Sequence, residues 1–156
     1  MLGGIHVPSK LGLLGHSDAD VLLHALTDAL LGALALPDIG TLFPDTDARW
    51  ENAPSGSMLS AVYGMVRSNG YGLVNADCAL ICDQPKLAPH YVRIRNGIAE
   101  VLGVSPERIG LKAKTTEGTQ LALKRKSIAA MVVVLLARSG PKSPAPPTRT
   151  RRARPR

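Results

Sequence analysis

Aromatic residues are few: one Trp, one Phe and three Tyr make up 3% of the 156 positions. Single-stranded nucleic acids are gripped largely by stacking bases on aromatic rings, so a platform of that kind has almost nothing to be built from. Long apolar runs are also lacking. The longest clean one, Ile128 to Ala137, is roughly half of the about 20 residues that a membrane-spanning helix needs, so no such helix is expected. Met1-Leu-Gly-Gly offers neither a basic n-region nor an apolar h-region, which argues against a secretory signal. Cysteine is scarce, with Cys78 and Cys82 the only two. Four apart in a strand-like segment, they would face one side about 13 Å apart, too far for a disulfide, and are expected to be reduced core residues.

Charge is present but unevenly placed. The net charge is +7, and six of the 19 basic residues (Lys142, Arg149, Arg151, Arg152, Arg154 and Arg156) follow Arg138, where there is no Asp or Glu. The body keeps 13 basic against 12 acidic residues and is nearly neutral. Residues 139–156, rich in Pro, Ser and Arg without an apolar period, read as a disordered tail. Residues 1–138, 45% hydrophobic as part of the whole chain, suffice for one domain with a real core. A nucleic-acid or membrane-surface tether is the alternative use of the tail. It predicts binding that falls steeply with salt and is lost on cutting at Arg138.

Periodicity predicts α/β architecture. Val21, Leu22, Ala25, Leu26, Ala29, Leu30, Ala33 and Leu34 recur at helical spacing between Asp18 and Leu36, with Ser17 and Asp20 reading as a capping box. A second helix is expected from Ser57 to Ser68, stopped by Gly70, and a third from about Pro89 to Gly103. Strands are expected at Gly4–Val7, Leu73–Cys82, Ile109–Lys114 and Ile128–Leu136. The order suggests an α+β two-layer domain, a small mixed sheet with helices on one face. A sheet uncovered on its other face must bury it in an oligomer.

The chemistry gathers where the charge pattern is odd. Between Lys10 and Arg49 lie six carboxylates (Asp18, Asp20, Asp28, Asp38, Asp45, Asp47) and two histidines (His16, His24) without one Lys or Arg. A divalent-metal pocket needs such ligands, and a solvated acidic face would use the same residues. His16, Asp20, His24 and Asp28 recur every four residues along one side of the first helix or its entrance. The loop Pro37 to Asp47, with three acids among two prolines and a glycine, suits polyol hydroxyls or metal-bound water, or else plain Asx-turns. Cys82 to His90 joins a strand to a helix where amides and Lys86 can hold a phosphate or nucleotide. Lys112 to Glu117 puts hydroxyls and a carboxylate at a strand end, a common ligand edge.

Together, HSDADVLLHALTDALLGAL from His16, DIG at Asp38 to Gly40, FPDTD at Phe43 to Asp47, QPKLAPH at Gln84 to His90 and KAKTTE at Lys112 to Glu117 resemble the 2-C-methyl-D-erythritol 2,4-cyclodiphosphate synthase family, collinearly over residues 3 to 137. The resemblance implies a homotrimeric lyase of non-mevalonate isoprenoid biosynthesis with active sites between subunits. It closes a cytidine diphosphate derivative of methylerythritol 2-phosphate into a cyclic diphosphate and releases CMP. His16 and Ser17 would hold phosphate oxygens, with His16 and Thr115 catalytic. Asp38, beside the amides of Ile39 and Gly40, would accept the erythritol hydroxyls under a flexible wall of Phe43, Pro44, Asp45, Thr46 and Asp47. From a neighbouring subunit, Cys82, Asp83, Gln84, Pro85, Lys86, Leu87 and Ala88 would frame the cytosine, and Lys114, Thr115 and Thr116 would meet the diphosphate. His24 matches a zinc ligand, and Glu117 would approach a magnesium ion on the phosphates.

Two departures stand out. The family's upstream Asp-x-His pair, which supplies the other zinc ligands, has no counterpart before Gly3, and a glycine-rich GFTGRGEG segment is replaced by GTQLALKRKSIAA from Gly118. A Lys-Ala-Lys-Thr strand end and a Ser-Ile-Ala-Ala run resemble plastid-type members. The expectation is therefore a plastid-stroma enzyme whose gene model lost its first exon, with a bacterial cytoplasmic enzyme as the alternative. A catalytically silent trimeric paralogue is the competing reading from another class. Neither a membrane nor a nucleic acid is expected as partner.

Overall fold

The computed structural model describes residues 1–9, 18–44, 46–47, 49–50, 53–117 and 127–139. His16, Ser17 and Asp45, the segment after Glu117 as far as Lys126, and the tail beyond Ser139 lie outside them.

Helix α1, Val21–Ala33, places Leu22, Leu23, Leu26, Leu30 and Leu31 in the core, each contributing roughly 1.5–3 kcal/mol by leaving water. It begins three residues after Asp18. Its cap is Asp20 rather than the expected Ser17, because the Asp20 carboxylate is already committed: it accepts Leu23 N–H at 3.1 Å, Gly3 N–H at 2.9 Å and Gly4 N–H at 2.7 Å. That capture also explains why the expected strand Gly4–Val7 is absent. Gly3 and Gly4, at φ 61° and 76°, turn the chain back on itself, leaving only a bridge between Leu2 and Ile5. The turn sits in a notch on a later helix, where a Cβ at Gly97 would come within 2.7 Å of the Gly3 carbonyl.

A short helix that the sequence reading did not anticipate, α2 (Ile39–Leu42), follows; four residues carry no period. Helix α3, Ser55–Ser68, starts two residues earlier than expected and buries Met58, Leu59, Val62, Tyr63 and Val66 at helical spacing. Strand β1 (Tyr71–Ile81) is central. It runs parallel to β2 (Ile109–Lys114) and antiparallel to β3 (Ala129–Arg138), giving the order β2-β1-β3 among the described residues. The register slips between Leu73 and Asn75. The extra residue, Val74, moves the inward row from odd to even positions, so Leu73 and then Ala76, Cys78 and Leu80 are all buried. Helix α4, Tyr91–Leu102, is preceded by a 3-10 turn holding Pro89, and Gly103 at φ 63° closes it. The Tyr91 hydroxyl accepts Ala113 N–H at 2.8 Å and so ties α4 to β2.

The expected α/β class and one-sided helix layer are both observed. The helices cover the face carrying Cys78 and Leu80. The opposite face presents Asn75 and Asp77 of β1, Gly110, Lys112 and Lys114 of β2, and Met131, Val133 and Leu135 of β3, all exposed.

Candidate active site

Two clusters form, each held by its own hydrogen bonds. The first lies beyond the C-terminal end of α1. Exposed Asp38 caps α2 by accepting Thr41 N–H at 2.8 Å, and hydrogen bonds from the Thr41 side chain and then its backbone hold the Asp38 carboxyl below its ordinary value. The Ile39 amide, expected beside Asp38 as a ligand donor, is instead given to Asp28 at 2.8 Å. That bond fastens α2 to α1, so Asp28 orients the loop instead of joining a metal ladder. Phe43 is buried and stands edge-on to Trp50, ring centroids 4.6 Å apart. The wall from Phe43 to Asp47 is thus anchored at its start. Asp47 pairs with exposed Arg49 at 2.6 Å, which lowers its pKa and raises that of the guanidinium.

The second cluster is a corner where β1 and β2 leave the sheet together. Their last paired residues are Ile81 and Lys114, and Cys82 N–H extends the ladder to the Lys114 carbonyl at 2.9 Å. The turn Cys82 to Ala88 folds onto itself as the Cys82 thiol donates to the Gln84 carbonyl at 3.1 Å. Burial pushes that thiol's pKa up. Leu87 pins the turn to the core, whereas Gln84, Lys86 and Ala88 are exposed, and Pro85 is half-buried. Opposite them, Lys114, Thr115 and Glu117 are exposed and Thr116 is buried. Glu117 adopts φ 50°, a left-handed conformation that costs a non-glycine residue roughly 1–2 kcal/mol. Asp83 spans the corner, accepting both Thr116 N–H at 2.8 Å and the Thr116 hydroxyl at 2.7 Å.

Of the two readings of His16, Asp20, His24 and Asp28, metal ladder or helix surface, the described residues form no ladder. Asp20 is a buried helix cap, Asp28 holds α2, and His16 lies outside the described residues. His24 Nε2 is 2.9 Å from the Ser55 hydroxyl, which also bonds to the Asp18 carboxylate. Among the described residues no three His, Cys, Asp or Glu side chains converge on a point that could hold a metal. Among the described residues, His24 is thus not joined by the further donors that a zinc site needs. Sequence reasoning missed Ser55 as the partner of His24 and Thr116 as the partner of Asp83. The pairs lie 31 and 33 residues apart, with no periodicity to link them.

Residues 1–137 match the YgbB family. The 2-C-methyl-D-erythritol 2,4-cyclodiphosphate synthase of Geobacillus thermodenitrificans is 48% identical over 139 residues, covering 89% of this chain and 87% of that protein. That of Aromatoleum aromaticum is 50% identical over 140 residues, covering 90% and 85%. The chain belongs to the 2-C-methyl-D-erythritol 2,4-cyclodiphosphate synthase family. A solved synthase described as the CDP-bound form has a TM-score of 0.81 at 42% identity, covering 88% of this chain and 89% of that one. A Plasmodium falciparum CDP complex follows at TM-score 0.75 and 31% identity, covering 88% and 82%. This chain carries exposed Asp38 at the start of α2 and the exposed Thr115 hydroxyl beyond the end of β2.

Proposed function

We propose that the chain is a lyase of the non-mevalonate isoprenoid route. It converts 4-diphosphocytidyl-2-C-methyl-D-erythritol 2-phosphate to the 2,4-cyclodiphosphate and CMP. The observation that carries this reading is near-half identity to synthases over almost the whole of both chains. An oxygen of the 2-phosphate attacks the β-phosphorus. A new phosphoanhydride bond forms, and the bond to the oxygen bridging the α-phosphorus breaks, its electron pair leaving with CMP. Little covalent work falls to the protein, which must hold two anions in line and neutralise charge on the leaving group.

The residues divide that work. Asp38, exposed and kept ionised by Thr41, accepts hydrogen bonds from the erythritol hydroxyls. The wall from Phe43 to Asp47 borders it, with Pro44, Asp45 and Thr46 between. His16 and Ser17 take phosphate oxygens. The backbone of Cys82 to Ala88 frames the cytosine, and Lys114 and Thr115 meet the diphosphate. Glu117 offers a single carboxylate, which suits a magnesium ion that draws its other ligands from phosphate and water. With an intact assembly, Asp38→Ala is expected to cut turnover more than tenfold, and Thr115→Val to slow it similarly through the lost contact with developing charge. Equal turnover would remove either residue from the site.

Assembly completes the site. The exposed apolar row of β3 on a face without helices supports three chains packing their sheets together, so that the corner of one chain meets Asp38 of the next. Light scattering at micromolar concentration is expected to give three chains per particle, and a monodisperse monomer would overturn this. The zinc expectation at His24 is tested by dialysis of the 156-residue chain. Less than one zinc in ten chains is expected to remain, and stoichiometric retention would turn attention to His16. No helix among the described residues is long and apolar enough to cross a membrane. The runs at Lys112 and Ser127 support a plastid-type lineage against the bacterial relatives named above, and imaging of the tagged protein in its own cells decides between stroma and cytoplasm.

A further inference from the structure

Among the described residues, the two turns proposed to carry the substrate are joined by a side chain of one of them. Asp83 lies in the turn that would frame the nucleobase, Thr116 at the strand end that would meet the diphosphate, and the Asp83 carboxylate takes both hydrogen-bond donors of Thr116, at 2.8 and 2.7 Å. Thr116 is only 6% exposed. Its hydroxyl proton is therefore directed at Asp83 and not at a phosphate, while Thr115 and Glu117 on either side of it are exposed to solvent. The backbone contributes one bond nearby, Cys82 N–H to the Lys114 carbonyl at 2.9 Å, which continues the β1–β2 ladder one residue past its end. Beyond it, the two turns are in contact through the Asp83 carboxylate on Thr116.

We propose that Asp83 is a positioning residue: on the cyclase reading above, its carboxylate clasps Thr116 and fixes the spacing between the nucleobase turn and the diphosphate strand end as one rigid unit. A nucleoside diphosphate that spans both turns gains from having that spacing set before it binds, since ordering the second turn then costs nothing. A ligand that touches only one turn gains nothing. The reaction depends on the spacing more sharply still, because in-line attack tolerates little misplacement of the β-phosphorus.

The test compares cytidine with cytidine 5′-diphosphate on the full chain, with turnover measured at saturating substrate. Asp83→Ala is expected to weaken CDP binding and to lower kcat, each about tenfold, while cytidine affinity stays within twofold. Asp83→Asn keeps an acceptor for Thr116 N–H and offers its amide N–H to the Thr116 oxygen, so it is expected to recover CDP binding to within threefold. The double variant Asp83→Ala with Thr116→Val should bind CDP no more weakly than Asp83→Ala alone. Equal loss for cytidine and CDP, unchanged CDP binding in Asp83→Ala, or additive losses in the double variant would each overturn the clasp. If Asp83→Ala does not fold, Thr116→Val decides, with selective loss of CDP affinity supporting the clasp and equal loss overturning it. Failure of the unaltered chain to bind CDP at all would overturn the cyclase reading and this inference with it, a result distinct from normal binding that the variants leave untouched.

Discussion

Strand β3 shows two apolar rows with different employers. Its inward row, Ala130, Val132, Val134 and Leu136, is half-buried against the core, whereas its outward row, Met131, Val133 and Leu135, stands 68%, 72% and 57% exposed. Across the same outer face β2 presents Lys112 and Lys114, and β1 presents Asn75 and Asp77 at one end and Ala79 and Ile81 at the other. A strand with one solvated face normally alternates apolar and polar residues. Asn75, Asp77, Lys112 and Lys114 follow that rule, whereas Ala79 and Ile81, half-buried further along β1, and the outer row of β3 do not, so the most exposed apolar strip is the one on β3. The inner row is needed for the chain's own fold. The outer row has no such use within the chain, and an exposed strip of this kind is what an interface with other copies would cover.

Five measurements test this contrast. On the inner face, Leu80→Ala leaves a void beneath fully buried neighbours and is expected to cost about 2–5 kcal/mol in urea unfolding. On the outer face, Val133→Asp is expected to leave the helical circular dichroism intact and, if the proposed trimer holds, to reduce the particle mass from three chains to one. If it instead unfolds the chain, the two rows do the same job. Cys78 reports on how tightly the inner face stays closed. Burial raises its pKa to about 12, so at pH 8 its thiolate fraction is on the order of 10⁻⁴ and iodoacetamide should leave it unmodified until denaturant is added, as mass spectrometry would show. The same shift sets a sign. Above about pH 9 the unfolded chain gives up this proton while the folded chain keeps it, so stability falls as pH rises towards about 12. The smallest effect belongs to the outer pair Asp77–Lys112, both side chains 49% exposed, where Asp77→Ala is expected to change protomer stability by about 0–1 kcal/mol.

Much of this architecture is legible in the residues themselves. The leucine spacing of α1 and the bounds of β2 follow from period alone, because each side chain on those elements is sorted by burial. The start of α1 was misplaced because Asp20 also answers to Gly3 and Gly4, a demand made from outside the helix. The Gly4–Val7 strand failed for the same reason: the amides a strand would offer are taken by a carboxylate 16 or 17 residues away. In the candidate site, the turn and strand-end motifs were readable as segments, but the Asp83–Thr116 bond was not. Sequence spacing encodes which face a residue occupies within its own element and says nothing about which distant loop that face will meet.

The order of the elements along the chain also dictates a schedule. Helix α1 ends at Ala33, yet its leucine face packs against β3, which begins only at Ala129. At about 5–20 residues per second, a ribosome takes roughly 5–20 s to cover that interval. For all of that time the first helix made lacks β3, and its five buried leucines have only α2, α3, β1 and the turn at Gly3 among the described elements to shelter them. Synthesis halted before Ala129 should leave α1 open to protease, and release of ten more residues should close it. This fold cannot be completed from its N-terminus onward; the last of its described strands is the one that shuts it.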